Sequence, residues 1–244
     1  MKLTICHLYP DICNLYGDQG NVRTLIKRSE ERGIETQLIQ LPVGEKYPLS
    51  KCDLLFMGGG QEKEILSLQG EMTSWRGTEL KAAIEDGKTL LAICGAYQLL
   101  GHSYENVEGE TFGFMGALDF HTVAQKERMV GDYLFSWEET GENVSIVAFE
   151  NHSGQTFLGD KVKPLGKVIK GYGNNGQDQT EGARYHNVCC TYGHGPILPK
   201  NPKFADFLLE TALVQKYGSA QLEPLDDTLE DRANAYMVKR LSSQ

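Results

Sequence analysis

The sequence lacks a long apolar run. No stretch of its 244 residues approaches the roughly 18 apolar residues of a membrane-spanning helix, and the segment MKLTICHLYP has no apolar core typical of a signal peptide. Positive charge is also scarce, since 24 Lys and Arg against 33 Asp and Glu give a formal net charge of −9. An acidic chain is a poor general partner for nucleic acid or an anionic membrane surface. We therefore expect a cytoplasmic protein that binds no nucleic acid and is not inserted in a membrane.

Cysteine is sparse as well. The chain has six cysteines, too few and too scattered for a disulfide scaffold, and it has no CxxC pair. We expect thiols in a reducing compartment. A group of His186, Cys189, Cys190 and His194 offers zinc-ligand residue types, but adjacent side chains on a strand point to opposite faces. The two cysteines are therefore badly placed to share one metal, and we expect no metal site.

What the sequence does contain is an alternation of strand and helix patterns. Strand patterns occur at 2–8, 34–41, 53–57, 89–93 and 188–192, and helix patterns at 21–32, 78–86 and 204–216. This alternation predicts an α/β fold with a doubly wound, mostly parallel sheet flanked by helices. After residue 100, shorter strand patterns with breaks at Gly131 and Gly141 predict a small appended antiparallel sheet. We expect one domain over residues 1–215 and an amphipathic helical tail over 216–244.

A strand runs directly into a cysteine and then a helix in TLLAICGAYQLL, residues 89–100. Such an elbow holds Cys94 above the carboxyl edge of the sheet, at a helix N-terminus whose dipole favours an anion. Ala92 and Ala96 are small enough for the close contacts of an elbow, and the N–H of Gly95 is placed to face an oxyanion. The pattern favours a nucleophile; the alternative is a cysteine that only packs.

Other residue types suited to catalysis also follow predicted strands. The run GGGQ after the third strand, with Gly59 and Gly60, favours oxyanion donors, although a plain glycine turn is the alternative. His194 follows the strand at 188–192 and is placed to serve as a base for Cys94. Arg128 lies between two β segments, where its guanidinium would suit a substrate carboxylate if it faced the cleft rather than solvent.

Several motifs resemble one enzyme family. AICGAYQLL and GGGQ resemble the nucleophile elbow and oxyanion turn of class I, triad-type glutamine amidotransferases, which have a flavodoxin-like fold. FENHSG and TYGHGPILPKNP narrow the resemblance to the cobyric acid synthase type. LYPDICNLYGDQGN, RMVGDY and GNNGQDQTEG narrow it to the glutaminase subunits of lipid II isoglutaminyl synthase. The similarity extends over residues 8 to about 202.

The resemblance implies a chemistry and a partner. Cys94 would attack the side-chain amide of L-glutamine, His194 would act as acid and base, and Arg128 would bind the substrate. The implied oxyanion donors are the N–H groups of Gly59, Gly60 and Gly95. Ammonia would pass to a MurT-type, Mur-ligase-like subunit in a heterodimer. That partner, and not this chain, would use ATP and magnesium to amidate the D-glutamate α-carboxyl of lipid II, a membrane lipid intermediate of peptidoglycan synthesis.

One departure from the wider family concerns the histidine. The usual His-Pro-Glu run, whose acid orients the base, is replaced by His194, Gly195 and Pro196. An orienting carboxylate would have to come from elsewhere, such as Asp18 or Glu150, or from the partner. Further supporting residues are Gln98, in the family's G-x-C-x-G-x-Q pattern, and His152. Two alternatives stay open: an amidotransferase serving another carboxylate, such as that of a corrinoid, and a non-catalytic interaction protein on the same fold.

Overall fold

The computed structural model describes residues 1–138 and 141–243, which form twelve strands and seven α-helices. The strands are β1 (Lys2–Leu8), β2 (Glu35–Leu41), β3 (Leu54–Met57), β4 (Thr89–Ile93), β5 (Ser103–Glu105), β6 (Thr111–Gly113), β7 (Phe120–Trp137), β8 (Val144–Leu158), β9 (Gly166–Lys170), β10 (Thr180–Glu181), β11 (Ala183–Tyr185) and β12 (Val188–Thr191). The helices are α1 (Gln19–Glu30), α2 (Glu62–Ser67), α3 (Gln69–Met72), α4 (Trp75–Glu85), α5 (Gly95–Leu99), α6 (Pro202–Tyr217) and α7 (Thr228–Ser242).

The first sheet has the strand order β2-β1-β3-β4-β12-β11. All of its pairs are parallel except β11 with β12. Strands β3, β4 and β12 are buried along their whole length, as their continuous apolar runs predict for the centre of a covered parallel sheet. The predicted doubly wound α/β fold is confirmed. Because β1, β3, β4 and β12 run in the same direction, the loops after all four meet at one edge.

The second sheet has the order β10-β9-β7-β5-β6, with β8 paired along β7. It is mostly antiparallel, as predicted, but it has six strands and is not small. The predicted break at Gly131 is wrong, because β7 continues through this glycine, which pairs with Glu150 of β8. Residues 150–154, which include the polar motif ENHSG, lie within β8. The real irregularity in the β7–β8 pairing lies between Ala124 and Met129.

Both sheets share one core, and the tail closes against the second. A continuous cluster of buried apolar side chains includes residues from both sheets. Helix α7 packs Leu241 against Leu134 of β7 and Val147 of β8. The tail is therefore helical and docked, and α6 continues to Tyr217, past the predicted boundary at 215; residue 244 lies outside the described part. No helix within 1–138 and 141–243 is long and apolar enough to cross a membrane.

A buried arginine fastens the start of the tail to the domain. Arg28 of α1 donates to both carboxylate oxygens of Asp206 in α6, each at 2.7 Å, and to those of Asp227, just before α7, at 2.5 and 2.9 Å. Only 6% of the Arg28 side chain is exposed. Removing this guanidinium takes away the ion pair of Asp227, whereas Asp206 keeps its ion pair with Arg32 at 2.7 Å.

We expect Arg28→Ala to lower the free energy of unfolding by about 1–3 kcal/mol, the lower end reflecting the partial exposure of both carboxylates. Urea denaturation of the full chain measures this. Lys27→Ala is the matched control, because Lys27 is 72% exposed and its ion pair with Glu31 is 3.7 Å long. That control should change stability by no more than about 0.5 kcal/mol. Equal effects of the two substitutions would contradict the role given to Arg28.

Candidate active site

Cys94 occupies the predicted elbow between β4 and α5. Its backbone has φ 50° and ψ −108°, an unusual conformation for a residue with a Cβ atom and one found at strained functional turns. The Cys94 N–H donates to the carbonyl oxygen of Thr191 at 2.8 Å, and the Cys94 carbonyl accepts from the N–H of Gln98 at 3.1 Å. Ala92 and Ala96 on either side are completely buried. These contacts hold the thiol at the carboxyl edge of the sheet.

His194 lies beside Asp18 at the same edge. Its Nδ1 is 3.1 Å from Asp18 Oδ2, and neither side chain is exposed. The His194 backbone also forms an antiparallel bridge with Phe149 of β8, through hydrogen bonds of 2.8 and 3.2 Å. Of the two acids named from the sequence as orienting groups, Asp18 is therefore the one that contacts the imidazole. The loop after β12 is held by both sheets.

The charge on His194 is set by competing influences. Burial, the largest, lowers its pKa, whereas the negative charge of a Cys94 thiolate and the contact with Asp18 raise it. The net result is a pKa raised from 6.5 to about 10, so the ring is an imidazolium at neutral pH. Its Nε2 is buried and makes no hydrogen bond within the described chain. That nitrogen is thus left available for a proton transfer.

The glycine turn after β3 packs directly under the imidazole. A Cβ atom on Gly59 would lie 2.3 Å from His194 Cε1, so a larger residue does not fit there. The N–H of Gly59 donates to Asp18 Oδ2 at 2.7 Å. The expectation that this N–H serves an oxyanion is corrected, because Asp18 already accepts it. The N–H groups of Gly60 and Gly95 have no acceptor in the described part of the chain and remain candidates.

A cavity of about 430 Å³ opens beside Cys94. Gly60, Gln98, Arg128 and His152 line it together with Cys94, so the structure brings half of the ten predicted site residues to one space. Arg128 lies in the irregular segment of β7. Its Nε donates to Asn151 Oδ1 at 2.8 Å and its Nη2 to the Asn151 carbonyl oxygen at 2.9 Å. The guanidinium is therefore held in a fixed orientation at the cavity, as carboxylate recognition requires.

The remaining predicted residues form the rear wall or lie behind it. Gln98 Nε2 donates to the Tyr192 hydroxyl at 3.2 Å, and the His152 ring stacks on the Tyr192 ring at 3.6 Å between centroids. Glu150 instead accepts from the N–H groups of Tyr172 and Gly173, at 2.8 and 3.0 Å. The expectation that Glu150 orients His194 is corrected, because its hydrogen bonds go to these two backbone N–H groups and not to the imidazole of His194.

Three residues of the site were missed in the sequence. Tyr16 packs edge-on against the His194 ring, with centroids 5.1 Å apart, and shields it from solvent. Asn151 donates to the Tyr16 hydroxyl and holds Arg128, so it joins two sides of the cavity. Tyr192 supports Gln98 and His152. All three stand within motifs that carry the resemblance: Tyr16 in LYPDICNLYGDQGN, Asn151 in FENHSG and Tyr192 in TYGHGPILPKNP.

No metal centre is found in the described ranges, which contain no group of three or more His, Cys, Asp or Glu side chains placed to hold an ion. Of the four residues whose types suit zinc, His194 contacts Asp18, and Cys189 and Cys190 are completely buried in β12.

Comparison with known proteins relates this geometry to a family. A model of the CobB/CobQ-like glutamine amidotransferase domain matches residues 4–202. The chain is 38% identical, over 243 residues, to the lipid II isoglutaminyl synthase (glutamine-hydrolyzing) subunit GatD of Staphylococcus aureus strain N315, covering 100% of this chain and 98% of that protein. It is 36% identical to the protein of the same name from Streptococcus pneumoniae strain ATCC BAA-255 / R6, covering 93% of this chain and 87% of that protein.

The fold is also found in solved structures. A glutamine amidotransferase from Thermotoga maritima superimposes with a TM-score of 0.57 at 13% identity, covering 99% of both chains, and this likeness concerns the fold alone. The relatives named above are each described as a subunit, which implies an assembly with a further chain. The resemblance predicted from the motifs is confirmed: the chain belongs to the CobB/CobQ-like glutamine amidotransferase family of glutamine-hydrolysing enzymes.

Proposed function

We propose that the protein is the glutamine-hydrolysing subunit of a lipid II isoglutaminyl synthase. The similarity to relatives of that name extends over nearly the whole chain and supports this assignment. The observation that carries the chemistry is the placement of Cys94 and Arg128 at one cavity, with the buried His194–Asp18 pair at the same edge of the first sheet. A thiol, an oriented imidazolium and a fixed guanidinium are what hydrolysis of an amino acid amide through a thioester requires.

The proposed reaction begins with the Cys94 thiolate, which attacks the side-chain amide carbon of glutamine and forms a carbon–sulfur bond. The N–H groups of Gly60 and Gly95 bind the resulting oxyanion. His194 then gives its Nε2 proton to the leaving nitrogen, the carbon–nitrogen bond breaks, and ammonia departs. Water attacks the glutamyl thioester while His194 takes up a proton, and glutamate and the free thiol are released.

Substrate placement falls to the residues around the cavity. Two hydrogen bonds to Asn151 hold the guanidinium of Arg128, and its other N–H groups are free to bind the α-carboxylate of glutamine. Gln98 and His152 form the wall behind the reacting amide and are positioned by Tyr192. A volume of about 430 Å³ accommodates one amino acid but not a lipid-linked peptide. The acceptor would therefore bind elsewhere.

We assign the acceptor to a MurT-type, Mur-ligase-like partner in a heterodimer. In this proposal the partner uses ATP and magnesium to activate the D-glutamate α-carboxyl of lipid II, and this chain holds no cofactor. Ammonia released from glutamine at Cys94 then reacts with the activated carboxyl and forms the amide. Because the partner consumes ATP and the glutaminase consumes free glutamine, we place both subunits in the cytoplasm, with the acceptor at the membrane surface.

The assignment is tested by replacing the nucleophile. Cys94→Ala should lower glutamate release from L-glutamine at least about a thousandfold, because no thioester can form. Cys52→Ala is the matched control, since this buried thiol lies at the opposite edge of the first sheet, before β3. With the partner, ATP and lipid II, wild type should produce amidated lipid II from glutamine, and the Cys94→Ala complex should do so only from added ammonia. Glutamate release that persists in Cys94→Ala would refute the mechanism.

Gly59→Ala tests the space under the imidazole. The added methyl group would stand 2.3 Å from His194 Cε1, so the ring must move from its position. We expect kcat to fall about a hundredfold while the chain stays folded, since displacements near 1 Å have effects of that size. Gly70→Ala in α3 is the control, because nothing lies within 4 Å of its added Cβ. A Gly59→Ala enzyme with wild-type kcat would show that the ring tolerates displacement.

Asp18→Asn tests the orienting acid through the pH profile. The His194 proton is retained below its pKa of about 10 and lost as the pH rises through that value, so kcat/KM of wild type should fall only near pH 10. Because Asp18 helps to raise this pKa, Asp18→Asn should move the alkaline limb down by about one unit and lower kcat about tenfold or more. Asp11→Asn, at an exposed acid of the same loop, should change neither the alkaline limb of the pH profile nor kcat. An unmoved limb in Asp18→Asn would exclude this role.

A further inference from the structure

The glycine-rich motif GNNGQDQTEG ends in an acid that the proposed mechanism does not use. We propose that Glu181 is a positioning residue. Through the segment Thr191–Tyr192 it fixes the separation and orientation of Cys94 and His194. This inference rests on the proposed glutaminase function and extends it to a buried carboxylate outside the cavity. Glu181 lies in β10 of the second sheet and is completely buried.

One carboxylate oxygen of Glu181 accepts three hydrogen bonds. Oε1 accepts from the Thr191 hydroxyl at 2.6 Å, the Tyr192 N–H at 3.0 Å and the Tyr133 hydroxyl at 3.1 Å. Two of the three donors belong to Thr191, the last residue of β12, and to Tyr192, two residues before His194. Hydrogen bonds to an ionised acceptor are shorter and about twice as strong as neutral ones. Glu181 therefore fixes the segment more firmly than a neutral acceptor would.

Thr191 connects Glu181 to both catalytic groups through hydrogen bonds to the backbone of Cys94 and Gly193. Its carbonyl oxygen accepts the N–H of Cys94 at 2.8 Å, which supports the strained elbow. Its hydroxyl oxygen accepts the N–H of Gly193 at 2.9 Å, which bends the chain toward His194. One residue thus touches the elbow on one side and the histidine loop on the other. A shift of Thr191 would alter the separation of thiol and imidazole.

Tyr192 extends the effect to the substrate cavity. Its hydroxyl accepts from Gln98, and its ring stacks on His152, two residues of the cavity wall. The same hydroxyl lies 2.7 Å from that of Thr156 in β8. Because Glu181 accepts the Tyr192 N–H, it also fixes the surface against which the glutamine amide would rest.

Within the described part of the chain, the strongest influences on the pKa of Glu181 include no cation. The titratable groups that face Glu181 are Tyr97 from α5, Tyr133 from β7, Glu150 from β8, Cys190 from β12, and Tyr192 directly after β12. Burial, the largest influence, and repulsion by Glu150 raise the pKa of Glu181 to about 7, although its hydrogen bonds lower it. The second oxygen, Oε2, is buried without a partner. A buried acid retained at such a cost points to a role other than stability.

The test compares Glu181→Gln and Glu181→Ala with wild type by measuring glutamate release between about pH 6 and pH 9. Glu181→Ala should lower kcat about tenfold to a hundredfold while KM changes by less than about threefold, because the thiol of Cys94 and the imidazole of His194 lose their relative position. Glu181→Gln keeps an acceptor oxygen and should restore most of kcat. It cannot ionise, so the acidic limb near pH 7 expected for wild type should be missing from its profile.

Asp53→Asn is the matched control. Asp53 is a mostly buried acid that accepts the Thr4 N–H and a bond from Lys216, both at 2.7 Å, at the edge of the first sheet away from the site. It should lower the melting temperature but leave the pH profile unchanged. The same loss of kcat in Asp53→Asn would show that the role of Glu181 is merely structural. A wild-type kcat together with a wild-type pH profile in Glu181→Gln would overturn the proposal, even if Glu181→Ala fails to fold.

The rate of Cys94 alkylation by iodoacetamide separates this proposal from the function on which it rests. Glu181→Gln should change the pH dependence of that rate whether or not glutamine is the substrate. If wild type releases no glutamate, with or without its partner, the proposed function fails. If wild type is active and the alkylation profiles of wild type and Glu181→Gln coincide, only the role of Glu181 fails.

Discussion

The catalytic edge of the protein depends on one buried carboxylate, that of Asp18. It accepts the N–H of Gly59 after β3 and contacts the imidazole of His194 after β12, so loops from three strands of the first sheet meet at one charge. A carboxylate buried alone is costly. Here a backbone N–H and an imidazolium with a pKa of about 10 compensate it. The acid absent from the chain after His194 is therefore supplied by the loop that follows β1.

The second sheet completes this site instead of merely covering it. The irregular pairing of β7 with β8 brings Arg128 to the cavity, and β8 supplies Asn151, which fixes the guanidinium. The same strand bridges the backbone of His194 through Phe149. Glu181 reaches the end of β12 from β10. The first sheet thus holds the reacting groups, while the second sheet sets their separation and the orientation of the substrate.

The sequence predicts the first sheet and the reacting pair because their signals are local. A buried run followed by Cys94, and another followed by His194, places both at strand ends, and parallel strands bring those ends together. The second sheet was predicted less well, since Gly131 reads locally as a break although pairing with β8 carries the strand through it. The contact between Asp18 and His194 joins positions 176 residues apart. Such a pair has no local signature, and a resemblance to the family does not supply it either, because the usual acid is missing.

The helix dipole plays a smaller part at Cys94 than the sequence predicts. The sequence suggested that a helix dipole favours the Cys94 thiolate, but α5 is only five residues long, too short to sum a large dipole. The positive charge at the site is that of His194: burial lowers its pKa, but the charge of Cys94 and the contact with Asp18 raise it further, to about 10. The elbow's positive φ must then be held by something other than the helix, and the hydrogen bond from Cys94 to Thr191 does this. Reactivity and strain at Cys94 are both controlled from the end of β12, which explains why so many buried polar contacts converge on that strand.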